Sequence, residues 1–247
     1  MKNWLIVGAT SGIAVHLSRE LASRGYRLYL SDRGAVADDL ERSARDLQVR
    51  HNTDVMTGRF EALEMDRHRS FIDDVEDRFG LLDGVVWVSG VMEPQNKLES
   101  DFELAMWQHN INYTAAMGVL GVVAERMGER RRGHIVAFCS PAGDRGRRSN
   151  YLYGADKAAL NCLMEGIRHR LAGTGVTVLT VKPGPTNTPM TAGMDDLPML
   201  AQPEDVARDI AKAIDRRKEV IYTPWQWRYI MLIIRHLPRW IFKRLDL

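Results

Sequence analysis

The chain has 247 residues, 45% hydrophobic and 27% charged, with a net charge of +2. This balance suits one α/β domain with a substantial core and excludes a disordered, collagenous or disulfide-framework protein; Cys139 and Cys162 build no framework and fit reduced thiols in a cytoplasmic setting. The charge is unevenly divided, because Arg228, Arg235, Arg239, Lys243 and Arg244 against Asp246 make residues 225–247 +4 and leave the rest at −2, which argues against nucleic-acid binding by the body.

Short apolar runs alternate with helix-period segments, the pattern of a parallel sheet with crossover helices. Residues 1–14 read as a strand entering a Gly-rich turn rather than as a cleaved signal. Strands are expected at 4–8, 26–31, 54–60, 84–89, 134–140, 176–182 and 219–222. Helices are expected to start near Ser11, Val36, Arg67, Asp101, Asn150, Gln202 and Gln226. Together these predict a single-domain, doubly wound α/β Rossmann fold: a parallel seven-stranded sheet with helices on both faces and ligands beyond the carboxyl ends of its strands. The division expected is a catalytic domain over 1–224 and a basic amphipathic tail over 225–247. Within the domain, residues 184–201, with Pro185, Pro189, Pro198, Gly184 and Gly193, read as a lid loop.

The first strand runs into Gly8-Ala9-Thr10-Ser11-Gly12-Ile13-Ala14. Small residues there let the backbone approach a pyrophosphate, and the following helix N-terminus offers free N–H groups and a positive dipole. The second strand ends in Asp32, whose carboxylate would accept from adenosine ribose hydroxyls and repel a 2′-phosphate; this favours NAD(H). Arg33 beside it would instead pair with that phosphate and admit NADP(H). Glu64, after the third strand, is placed either to reach an adenine amino group or as a surface acid opening the next helix.

Tyr153 and Lys157 are four residues apart, on one face of a helix. A lysine cation lowers a neighbouring phenol's pKa toward useful acid–base strength. Ser140, closing the fifth strand, is placed to hold a carbonyl oxygen for Tyr153 to protonate. With these residues the sequence resembles the short-chain dehydrogenase/reductase superfamily, of classical type, over nearly its whole length. GATSGIA matches the family's TGxxxGIG turn, Ser140, Tyr153 and Lys157 match its catalytic residues in order and spacing, and Asn112 fits the tetrad asparagine better than its rival Asn110. Pro183-Gly184-Pro-Thr-Asn-Thr188 matches the PGxxxT element, whose threonine contacts the nicotinamide carboxamide in the family. Val7 and Ala14 depart from the usual threonine and glycine, and the NNAG element reads Trp87-Val88-Ser89-Gly90, retaining only Gly90.

The resemblance implies hydride transfer between a nicotinamide and a carbonyl or secondary alcohol. In it Tyr153 moves the proton, Lys157 binds the nicotinamide ribose, Ser140 orients substrate and Asn112 supports a water. It also implies a homodimer or homotetramer through the helices at 101–127 and 150–171.

In the tail, Ile230, Ile233, Ile234 and Leu237 follow helical spacing, Pro238 interrupts, and Trp240, Ile241, Phe242 and Leu245 continue an apolar face. No run approaches the ~18 apolar residues of a spanning helix. Arginines and tryptophans flanking the stripe suit peripheral contact with an anionic membrane, on the inner face of the plasma membrane; the alternative is packing on the domain or a second copy. The tail and the segment between Ala142 and Gly154 resemble a branch of the superfamily, the decaprenylphosphoryl-2-keto-ribose reductases. That resemblance implies a keto sugar carried on a polyprenyl phosphate. Arg145, Arg147 and Arg148, on the loop between Ser140 and Tyr153, are candidate clamps for a substrate phosphate; the alternative is a solvated loop or a salt bridge across a subunit interface. A reductase of small soluble ketones or hydroxysteroid-like substrates, and a catalytically silent dinucleotide-binding partner subunit, remain open. The seven histidines show no metal-ligand spacing, so no metal is expected.

Overall fold

The structure is a computed structural model that describes residues 2–194 and 197–245. Asp195 and Asp196 of the expected lid, and Asp246 of the tail charge, lie outside the described residues.

Seven strands form one sheet: β1 (Asn3–Val7), β2 (Arg27–Asp32), β3 (Val55–Arg59), β4 (Gly84–Trp87), β5 (Gly133–Phe138), β6 (Val176–Pro183) and β7 (Val220–Thr223). Every pairing is parallel, in the order β3-β2-β1-β4-β5-β6-β7. The chain first winds outward from β1 to β3, then returns to place β4 on the other side of β1. That reversal opens a crevice beyond the carboxyl ends of β1 and β4, where Gly8 and Ser89-Gly90 sit.

Helices α1 (Gly12–Ser23), α2 (Ala37–His51), α3 (His68–Phe79), α4 (Gln95–Ser100), α5 (Phe102–His109), α6 (Ala115–Arg130), α7 (Tyr151–Arg170) and α8 (Pro203–Asp215) cover the sheet. The period-two alternation of β1 explains the two layers: Leu5 and Val7 join one core with residues of α3, α6 and α7, whereas Trp4 and Ile6 join the other with residues of α1, α2 and α8. Each such fully buried aliphatic side chain contributes about 1.5–3 kcal/mol.

The seven expected helix starts each fall within one residue of an observed one. The short α4 was not foreseen. The helix expected from Asp101 is divided: a π-helical turn, Asn110–Thr114, joins α5 to α6. Beyond β7, α9 (Trp227–His236) and α10 (Arg239–Phe242) flank Pro238. No helix among the described residues is long and apolar enough to cross a membrane.

Gly84 is required by packing. A Cβ there would lie 2.3 Å from two ring atoms of Trp4, which is fully buried and stacked between Tyr26 and His134. Gly84→Ala is expected to cost about 2 kcal/mol by overpacking and to lower the melting temperature by roughly 4–8 °C. Thermal unfolding followed by circular dichroism checks this; an unchanged midpoint contradicts it.

Candidate active site

The Gly-rich turn leaves β1 at Gly8, whose φ is +86°. A Cβ there would meet Ser89 N at 2.7 Å, so the turn and the β4 loop close on one another only because Gly8 lacks a side chain. Ser11 caps α1 by accepting from Ala14 N at 3.3 Å, which aims the first-turn N–H groups, Gly12 and Ile13 included, at the crevice. Thr188, from the loop after β6, packs over Gly12: a Cβ on Gly12 would lie 2.8 Å from its Cγ2. Ala14 is fully buried and packs in the α1 core without a glycine. This cradle of small residues before a helix N-terminus fits a dinucleotide pyrophosphate.

Asp32 is engaged with that turn. Its Oδ2 accepts from Thr10 N at 2.9 Å and from Thr10 Oγ1 at 2.7 Å, and its Oδ1 accepts from Arg33 N at 2.8 Å. The carboxylate therefore stands beside the turn, while Arg33 is exposed. Glu64 bridges two arginines, with Oε1 on Arg59 Nη2 at 2.9 Å and Oε2 on Arg67 Nη1 at 3.3 Å. Trp87 lies within the sheet core, edge-on to Phe60, with its indole N–H buried and lacking a hydrogen-bond partner.

The other cluster forms where α7 passes the ends of β4 and β5. Tyr153 and Lys157 are both buried, and Lys157 Nζ donates to Phe138 O at 3.0 Å. Ser140, leaving β5, accepts from Ala142 N at 3.1 Å, and its side chain lies near enough to the Tyr153 phenol to act on its ionisation. Asn112 is fully buried: its Oδ1 accepts from Val91 N at 2.8 Å and its Nδ2 donates to Val91 O at 2.9 Å. Asn110 instead accepts locally from Thr114 Oγ1 at 3.2 Å. A Cβ on Gly90 would lie 3.1 Å from Asn112 Oδ1 and 3.2 Å from Lys157 Nζ, so these two side chains converge over that glycine. Cys139 faces the core beneath α7, where burial pushes its thiol up to about 12 and keeps it inert.

The lowering of the Tyr153 pKa expected from Lys157 is not what the chain by itself shows. Burial raises it above its ordinary value near 10, with Ser140 opposing the rise and Cys139 and Asp156 adding to it. The phenol is thus a proton donor at neutral pH. Burial also lowers the Lys157 pKa.

Sequence reading left out two groups at the substrate side. Asp144 pairs with Lys182 Nζ at 2.6 Å and accepts from Tyr222 OH at 2.6 Å, joining the loop after Ser140 to β6 and β7. Trp227 is buried against Gly184, where a Cβ would lie 2.1 Å from the indole nitrogen. The three loop arginines separate. Arg145 donates through Nη1 to Ile234 O and, at 2.8 Å, to Leu237 O, and its guanidinium lies 3.8 Å from the Phe242 ring centroid. It holds the tail rather than opening to the crevice. Arg147 is partly buried, its Nε has no hydrogen-bond partner among the described residues, and Asp144 is the charge that acts on it. Arg148 is exposed.

The fold and this crevice define a dinucleotide-binding α/β protein. Residues 2–197 match the short chain dehydrogenase family, and the chain belongs to it: it is an oxidoreductase of CH–OH and C=O groups that uses a nicotinamide dinucleotide. An uncharacterised oxidoreductase of Mycobacterium tuberculosis is 33% identical over 241 residues, spanning 98% of this chain and 96% of that protein. The cis-4-hydroxycyclohexanecarboxylate dehydrogenase of Sinomonas cyclohexanicum is 30% identical over 220 residues, 84% of this chain and 86% of that protein. Among solved structures, a short-chain dehydrogenase of Sphingobium yanoikuyae in complex with NADPH superposes with a TM-score of 0.83 at 22% identity, covering 97% of each chain. Among the described residues no cluster of His, Cys, Asp or Glu is arranged to hold a metal.

Removing the Arg145 side chain takes two hydrogen bonds and a cation–π contact from the tail, about 1–2 kcal/mol. Arg145→Ala is expected to raise amide exchange across residues 227–242 roughly tenfold while leaving the sheet protected. Hydrogen-exchange mass spectrometry reads this; equal protection of the tail in both proteins contradicts it.

Proposed function

We propose that the chain is an NADH-preferring ketoreductase of an anionic substrate, in its sharpest form a keto sugar carried on a polyprenyl phosphate. The observation that carries the reductase reading is the buried, proton-bearing Tyr153 beside Ser140, with Lys157 and Asn112 meeting over Gly90 next to the glycine turn. When bound, the reduced nicotinamide supplies the hydride. Tyr153 gives its proton to the carbonyl oxygen, and Ser140 hydrogen-bonds that oxygen and fixes its approach. Lys157 and Asn112 face the ribose side, and the Lys157 charge stabilises the phenolate that proton transfer leaves. Thr188 closes over the cradle at Gly12.

Asp32 supports the NADH preference, since a carboxylate beside the glycine turn repels a 2′-phosphate. Arg147 supports an anionic substrate: a half-buried guanidinium whose Nε has no partner among the described residues, on the loop between Ser140 and Tyr153, is suited to a phosphate or carboxylate. The related cis-4-hydroxycyclohexanecarboxylate dehydrogenase, whose named substrate is a cyclic hydroxy acid, favours a second reading, a soluble keto acid.

The tail supports the membrane-borne version. Trp227, Met231 and Ile234 pack on the domain, yet Trp225, Tyr229, Leu232, Ile233 and Trp240 are all more than half exposed. Arg228, Arg235 and Arg239 are exposed among them, a combination suited to an anionic bilayer. Exposed Phe102, Met106 and Met117 on α5 and α6 support assembly with a second copy through these helices.

Initial rates with NADH and NADPH, on 4-oxocyclohexanecarboxylate and on a polyprenylphosphoryl 2-keto sugar in detergent, test the reading. NADH is expected to be preferred, the lipid-linked ketone to be the better substrate, and Tyr153→Phe to lose at least 10³-fold in kcat, on the order of the general acid's contribution. Near-parental turnover by Tyr153→Phe contradicts the mechanism, and a tenfold NADPH preference contradicts the role given to Asp32. Separately, the protein is expected to sediment with phosphatidylglycerol vesicles, more weakly at high salt. The variant with Trp225, Tyr229, Ile233 and Trp240 all replaced by Ser is expected to stay in the supernatant; equal sedimentation of both removes the membrane role.

A further inference from the structure

One buried charge beside this site is not used by the mechanism above. Asp156, between Tyr153 and Lys157 on α7, is only 4% exposed. Its carboxylate takes three donors, all from the segment that includes the π turn: Gln108 Nε2 at 3.2 Å and Asn112 Nδ2 at 3.0 Å on Oδ2, and His109 Nδ1 at 2.8 Å on Oδ1. A carboxylate only accepts, so the His109 ring nitrogen facing it carries the hydrogen.

These contacts settle the orientation of Asn112. Its two amide hydrogens go to Val91 O and Asp156 Oδ2, which leaves Oδ1 for Val91 N and turns that oxygen toward Lys157 over Gly90. The π turn, with its extra residue, carries Asn112 inward to meet α7, whereas Asn110 stays partnered with its own helix.

We propose that Asp156 is a positioning residue: its buried carboxylate locks the Asn112 amide so that Oδ1 stays turned toward the buried Lys157 ammonium over Gly90. The inference rests on the reading of Lys157 and Asn112 as the groups that serve the nicotinamide ribose. Burying an isolated ammonium is unfavourable, and one carbonyl, Phe138 O, is a weak counterweight. A negative charge at the next residue opposes that penalty, and the same charge disfavours ionisation of Tyr153. The titratable groups around the cluster are Tyr153 and Lys157 on α7, His109 on α5, Tyr113 in the π turn, and Cys139 at the end of β5. His109 is partly exposed, and its ring packs on Tyr113. Asp156 is the carboxylate they surround, and it is fixed by hydrogen bonds at both oxygens.

The test reads Lys157 directly and needs no substrate. Protein labelled with ¹³C at lysine Cε is titrated by NMR, with the Lys157 signal assigned by its absence in Lys157→Met. Asp156→Asn, close in shape but uncharged, is expected to lower the Lys157 midpoint by about one pH unit, with thermal stability nearly unchanged. Should that variant fail to fold, Asp156→Ser keeps an acceptor for Asn112 without the charge and carries the same measurement. An unmoved Lys157 midpoint overturns the proposal, whatever happens to activity. Failure of the catalytic reading is separate, since it would appear as turnover by Tyr153→Phe.

Discussion

The burial of one ammonium organises the site. Lys157 sits buried at the carboxyl end of a fully parallel sheet, with one backbone carbonyl, Phe138 O, as its hydrogen-bond acceptor among the described residues. Such a charge is tolerated only where the surroundings are polar and fixed. The neighbourhood meets both conditions: Gly90 leaves room for Lys157 and Asn112 to meet, Asn112 is held by Val91, and Asp156 supplies opposite charge from the same helix. The strand order fixes where this can happen, because the reversal between β1 and β4 brings the glycine turn, Ser89-Gly90 and the end of β5 to one edge.

The same edge connects to the tail. The loop after Ser140 holds Asp144, which pairs with Lys182 and Tyr222, and Arg145, which binds the carbonyls ending α9 and stacks on Phe242. Trp227 rests on Gly184 at the start of the loop that carries Thr188. The loops bordering the substrate side and the cofactor side are therefore both braced by the last two helices. On the membrane-borne reading, a surface that seats α9 and α10 also seats the entrance to the crevice, and a long-chain substrate need not leave the bilayer to present its carbonyl.

Much of the fold was legible because it is written in local periodicity. β1 alternates its apolar residues between two cores, and α1, α5 and α8 announce their starts with a Ser11 cap, an Asp101 cap and Pro203. The π turn was not legible: it arises from the demand that Asn112 reach both Val91 and Asp156, 21 and 44 residues away. The choice of Asn112 over Asn110 rested on a family pattern, and the geometry distinguishes them by burial and partners. Arg145 looked like its neighbours Arg147 and Arg148, since nothing in a run of loop arginines reveals an acceptor 89 or 92 residues downstream. The amphipathic spacing of the tail was visible, but not that both its faces are apolar, one packed and one exposed. The phenol's rise above its ordinary value was also hidden, because sequence shows the neighbouring lysine and not the depth of burial that outweighs it.

The central claim is that Tyr153 hands its proton to a carbonyl that receives hydride from a nicotinamide held in the adjacent cradle. The most direct measurement is a single turnover with NADH deuterated at C4 and a ketone substrate, the product alcohol analysed by mass spectrometry. The account predicts one deuterium on the carbinol carbon in the parent protein and no deuterated alcohol with Tyr153→Phe. Deuterated alcohol formed at the parental rate by Tyr153→Phe would contradict it.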